Sequence, residues 1–182
     1  MRKFSIVLVL AIIPFFGFSQ SIFDKYEDMN NVASVVINKS MIRLVGNLAA
    51  IDGNDQEAQE FKAIANSLNS IKVFITEDKG ISANMKVTVK KYLKSSSLEE
   101  LMRIKDKGTN VKFYIKSGKD EDHVSELLMF ISGINTDDIG IHGRKFESVL
   151  VSLTGDIDLN KIGSLTEKMN LPKALNKVGK RH

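Results

Sequence analysis

The sequence predicts an α+β domain, a two-layer sandwich of about five mostly antiparallel strands packed by helices. Three observations predict it. Helical apolar periodicity dominates the first half of the chain, β-branched and alternating runs dominate the second, and no regular strand–helix alternation links them. The order of elements reads β-α-α-β-α-α-β-β-β-α, with a β-rich C-terminal half. At 182 residues the chain is long enough for one domain with a real core.

The amino terminus is expected to lie outside that domain. Arg2 and Lys3 form a basic n-region, 6–16 is an apolar run broken only by Pro14, and Gly17-Phe18-Ser19 places small residues at a cleavage site. This is the pattern of a secretory signal peptide over 1–19, and the run is short for a membrane span. The organisation expected is a signal peptide at 1–19, a single domain at 20–175, and a disordered basic tail at 176–182. Without Arg2 and Lys3, the 26 basic residues fall by two against 22 acidic ones. A charge of about +2 gives no global electrostatic argument for nucleic acid. The absence of cysteine excludes disulfides, thiol catalysis, thiolate metal sites and a lipidated amino terminus.

The elements follow in order. Phe23-Asp-Lys-Tyr26 is an irregular or short helical lead-in. Val32, Val35, Val36 and Ile37 make a β-branched strand. Ser40 is a helix cap, and Met41, Leu44, Val45 and Leu48 share one apolar face. Asp52-Gly-Asn54 is a turn, and Asn54 with Glu57 forms a capping box for a helix whose face is Phe61, Ile64, Ala65 and Leu68. A strand spans 71–75, and a third helix spans 81–93, with Ile81, Met85, Val89, Tyr92 and Leu93 inward. Its other face holds Lys86, Lys90, Lys91 and Lys94. Ser97 with Glu100 reads as another capping box, starting a short helix through Met102.

Val111, Phe113 and Ile115 alternate with Lys112, Tyr114 and Lys116, the pattern of a half-buried strand. The run 124–131 fits either a return strand or a helix. A polar loop at 133–144 leads to the strand of Val149, Leu150, Val151 and Leu153. After it, Gly155 is expected to turn and Asp158 to cap a last helix. In that helix Ile157 and Ile162 form a staple, and Leu159, Ile162, Leu165 and Met169 share a face.

The leader, the segment Phe23-Asp-Lys-Tyr26, and Val35-Val36-Ile37-Asn-Lys39 before a Met-initiated helix resemble one known family. Leu98-Glu-Glu-Leu-Met102, Val111-Lys-Phe-Tyr-Ile115 and Leu153-Thr-Gly-Asp-Ile-Asp-Leu159 are similar to the rest of its pattern. It is the family of exported Bacteroidota proteins termed domain of unknown function 4252. The resemblance covers the mature chain and implies an exported envelope protein, with no activity to transfer. Some relatives look like lipoproteins, and this chain departs from them in lacking the lipidation cysteine.

Chemistry-bearing residues are sparse. No two of His123, His142 and His182 have helical metal-ligand spacing. His123 beside Asp120-Glu-Asp122 reads as a solvated turn rather than a cation site. Asn135-Thr-Asp-Asp-Ile-Gly140 lacks the oxygen ligand and the final glutamate of a calcium loop, since Ile139 and Phe146 stand at those positions. His142 and Arg144, flanked by glycines, are the candidate ligand-binding residues, suited to an anion or a lid. Asp156 and Asp158 are better explained by turn formation and capping than by acid–base work. No metal and no cofactor are expected.

The reading that follows is an exported protein, periplasmic or secreted, acting as a non-enzymatic interaction module whose partner is another envelope protein. One alternative is a hydrolase with a site assembled from distant residues around the 133–144 loop. Another is peripheral attachment to an anionic membrane surface through Lys173, Lys177, Lys180 and Arg181.

Overall fold

A computed structural model describes residues 22–50, 55–106, 108–134 and 146–161. Its strands are β1 (Val32–Asn38), β2 (Leu68–Thr76), β3 (Glu99–Asp106), β4 (Thr109–Ser117), β5 (His123–Ser132) and β6 (Ser148–Asp158). Its helices are α1 (Lys39–Ala49), α2 (Gln56–Ser67) and α3 (Lys79–Ser95), with a 3-10 turn at Asp24–Tyr26. The strands form one antiparallel sheet in the order β1-β2-β6-β5-β4-β3. The α+β class stands, and the strand count is six rather than five.

The sixth strand is β3, where the sequence suggested a capped helix. Met102 and Ile104 alternate with Arg103 and Lys105, and Gly108, at φ 95°, supplies the turn back to β4. Seven cross-strand pairs then outweigh a local capping signal. The ambiguous run at 124–131 is likewise a strand, paired on both sides.

The sheet's two faces follow the period-two alternation. On one face Phe74, Tyr114, Leu128, Phe130 and Leu150 pack against Met85 and Val89 of α3 and against Phe23 and Tyr26 of the lead-in. Tyr114 is therefore buried, and β4 is covered on both sides rather than half-buried. The Tyr26 hydroxyl lies 2.8 Å from both Asn84 Oδ1 and Thr88 Oγ1, and Phe23 meets Tyr92 edge-on at 5.1 Å. Lys72 on β2 bridges Asp24 and Glu27. Burial works to lower its pKa, but the two carboxylates outweigh it and hold the ammonium above its usual range. On the opposite face, α1 and α2 contribute Ile42, Ile64 and Ala65 to a cluster with Leu68, Phe113, Ile115, Leu127 and Ile157.

Helix starts differ in detail from expectation. The α1 cap is Asn38, which accepts from the Met41 amide, and not Ser40. The α2 cap is Asp55 rather than Asn54, and Asp78 caps α3 through the Ile81 amide at 2.8 Å. Gly155 does not turn the chain. It stays inside β6 at φ 152°, opposite the register shift between Leu68 and Ser70, where a Cβ would come within 2.4 Å of the Ser67 carbonyl oxygen. Glycine is there for close backbone approach. The turn into the last helix comes at Asp158, whose Oδ1 accepts from the Asn160 amide at 3.0 Å.

Candidate interaction surface

The most distinctive surface of the molecule grows out of α1. At about 100° per residue, Ile42 and Gly46 lie one above the other, at the Val45 margin of the arc of Met41, Leu44, Val45 and Leu48. The Ile42–Gly46 stripe is the one that faces inward. At Gly46 a Cβ would sit 2.8 Å from the Ala65 Cβ, so α1 and α2 approach more closely than any larger residue would allow. The cost of that choice is visible on the other side. Met41, Leu44, Val45 and Leu48 are 52%, 52%, 45% and 56% exposed. The apolar arc that the sequence marked is real, and the fold turns it toward solvent.

This exposed arc continues into a groove. Ile37, Ile42, Val45, Phe61, Ile64, Ala65, Leu68 and Ile71 enclose about 190 Å³ with apolar side chains only. Val45 and Phe61 belong both to the groove and to the exposed set. Val35, two residues from Ile37 on the same face of β1, is 51% exposed and prolongs the strip along the strand. Exposed apolar residues scattered singly need no explanation, whereas a contiguous strip is a recognition feature.

Beside the strip, β1 is an edge strand. Among the described residues nothing pairs with its outer side, so alternate backbone N–H and C=O groups face outward. Val32–Asn38 contains no charged side chain and pairs with β2 in unbroken register from Val32↔Thr76 to Asn38↔Ser70. At its start lies a larger cavity of about 520 Å³, lined by Asn30, Asn31, Val32, Ala33, Ile75, Glu77, Asp78 and Phe146. Asp78 is already engaged as the α3 cap, so the cavity is a polar rim to the strand rather than a convergent catalytic set.

The residues singled out from sequence have separate fates. His142 and Arg144 lie outside the described residues, as do the tail cations Lys173, Lys177, Lys180 and Arg181, the terminal His182 and the staple partner Ile162. His123 Nδ1 is 2.6 Å from Asp120 Oδ1, and this hydrogen bond holds the Asp120 carboxyl below its usual range. Asp156 pairs with Lys119 at 2.7 Å while Asp158 caps, so both carboxylates are engaged where they line a small cavity of about 130 Å³ with Lys119, His123 and Lys161. Among the described residues no three His, Asp or Glu side chains are grouped to hold a metal.

One feature escaped sequence reasoning. Glu126, 8% exposed, sits on the α3 face of β5, with both carboxylate oxygens 2.9 Å from the Tyr92 hydroxyl. Burial pushes the Glu126 carboxyl up, and burial together with the carboxylate pushes the Tyr92 hydroxyl up as well. A signal was available, because Glu126 is the one charged residue inside the apolar run from Val124 to Ile131.

A family model described as Domain of unknown function (DUF4252) matches residues 26–165. No curated protein and no solved structure matches the chain. Among the described residues no helix is long and apolar enough to cross a membrane.

Proposed function

The chain belongs to the family of domain of unknown function 4252, and from that premise we propose an exported, non-enzymatic interaction module of the cell envelope. In this reading it is periplasmic or secreted, and it receives an extended apolar segment of another envelope protein along β1 and the α1 strip. The exposed arc of Met41, Leu44, Val45 and Leu48 carries the reading. An uncharged edge strand supplies main-chain hydrogen bonds, and an apolar groove one step away supplies pockets for alternate side chains, the two ingredients of strand addition. The leader-like residues Arg2, Lys3 and 6–16, with the small residues at 17–19, support export.

Two measurements test it. Crosslinking and pull-down from envelope fractions should capture a discrete protein partner with the native chain. Val35→Lys combined with Leu44→Glu should reduce capture by about tenfold or more while leaving stability within about 0.5 kcal/mol, since both sites are exposed. Capture that ignores both substitutions would sink the surface assignment. Amino-terminal sequencing of the exported protein should begin at Gln20 or Ser21, and an intact amino terminus on cytoplasmic protein would refute export.

A further inference from the structure

A second feature lies on the other face of the sheet, independent of the apolar strip. Lys86 and Lys90 stand one turn apart on α3, and Lys112 faces them from β4 across a groove of about 130 Å³. Val89, Phe130 and Tyr114, all buried, form its base, with Asn110 and Ser132 at its walls. Among the described residues none of the three ammonium groups takes part in an ion pair. Glu100, the cross-strand partner of Tyr114, is the carboxylate whose charge reaches both Lys112 and Tyr114, and it is held by Arg103 through two hydrogen bonds of 2.8 and 2.7 Å. Among the described residues the lining of the groove holds three cations and no carboxylate.

Tyr114 makes this more than a lysine-rich surface. The residue is only 7% exposed, yet among the described residues its hydroxyl has no hydrogen-bond partner, and it is not sealed in the core. A phenol that is nine-tenths buried and unsatisfied inside would be costly, whereas one that opens on a groove is a donor awaiting an acceptor. Asn110 and Ser132 add neutral donors beside it. Lysine stems cover apolar surface while their charged heads stay wet, so a solvated face would explain Lys91 and Lys94. It does not explain cations from two separate elements meeting over an open phenol.

We propose that this groove is a binding site for a phosphate-type anion, a phosphate or phosphomonoester group held by Lys86, Lys90 and Lys112 with Tyr114 donating from the base. The ammonium groups provide charge-assisted hydrogen bonds, and the phenol and amide fix the anion's position. The volume admits one such group, carried either by a soluble molecule or by a lipid headgroup.

The test titrates the isotopically labelled mature chain with inorganic phosphate, following amide shifts by NMR, and in parallel sediments it with phosphatidic acid vesicles, whose headgroup is a phosphomonoester, against phosphatidylcholine vesicles. Shifts should cluster at Lys86, Lys90, 110–114 and Ser132. Lys90→Gln with Lys112→Gln should weaken binding by about tenfold or more, with the thermal midpoint kept. Tyr114→Phe, which removes only the hydroxyl, should weaken it by a smaller factor. Response to phosphate alone supports a soluble ligand, and sedimentation that depends on Lys112 supports a lipid headgroup. Shifts scattered over every surface lysine, or binding that survives the double substitution in both arms, would overturn the site.

Discussion

The two edges of the sheet are treated in opposite ways. The β3 edge carries Glu99, Glu100, Arg103, Lys105 and Asp106, is bridged along its length by the Glu100–Arg103 pair, and is bent by a register shift between Glu100 and Met102. These are the devices by which sheet proteins discourage unwanted strand pairing. The β1 edge has none of them. It is uncharged through seven residues, unshifted in register, and flanked by an exposed apolar helix. A chain that guards one edge so fully and leaves the other open has an edge suited to pairing.

The largest effect should come from breaking the join that puts both edges into one sheet. Gly155→Ala would drive a Cβ to 2.4 Å from the Ser67 carbonyl at a backbone angle that alanine adopts poorly. A loss of about 2–3 kcal/mol is expected in urea unfolding, and a loss near zero would mean that β2 and β6 are joined more loosely than described. Gly46→Ala acts on the open side alone, forcing α1 from α2 through a 2.8 Å contact with Ala65 Cβ. The expected cost is about 1–2 kcal/mol by the same measurement, with the β3 edge undisturbed in hydrogen exchange.

Removing the guard inverts the comparison. Glu100→Thr, Arg103→Val and Lys105→Val together should change stability by less than about 1 kcal/mol, because exposed ion pairs contribute little. They should nevertheless produce concentration-dependent association in sedimentation velocity. A triple variant that stays monodisperse would show that the charges are not protective.

The smallest effect separates stability from edge behaviour. The folded-state pKa of Glu126 is raised, so the folded protein binds this proton more tightly than the unfolded chain. Its contribution therefore favours folding below the ordinary carboxylate range and is lost as pH rises toward the raised value. Glu126→Gln should flatten that part of the stability profile, seen as a thermal midpoint that varies less with pH, without altering capture at β1. An unchanged profile would show that the Tyr92 hydrogen bonds cancel the burial of the charge.

Much of this fold was legible in the sequence because most local signals agree with the tertiary outcome. The strands of Val35–Ile37 and Val149–Leu153, the inward face of α3, and the Asp158 cap lie where periodicity and capping chemistry put them. The misreading of 97–102 arose because Ser97 and Glu100 satisfy a helix-start pattern, while the partner that makes this stretch a strand is β4, further along the chain. The interaction surface was half legible. The apolar arc of α1 was evident, but its outward orientation follows from the fit of Gly46 against Ala65, a contact between two helices that no single-helix pattern contains. The lysine groove was half legible for the same reason. Lys86 and Lys90 share a helix face, whereas Lys112 and Tyr114 reach it only through the sheet.

The place of β6 has a kinetic consequence. Ser70 and Thr154, whose hydroxyls meet at 2.7 Å, are 84 residues apart, and β6 is the last strand among the described residues yet lies near the middle of the sheet. Until residues 148–158 are available, the β1–β2 pair and the β3–β4–β5 meander have no strand to join them. Loop-closure entropy of that length must be met before β2 and β6 join. Such a sheet closes late, with β6 acting as the keystone between two parts that can form before it.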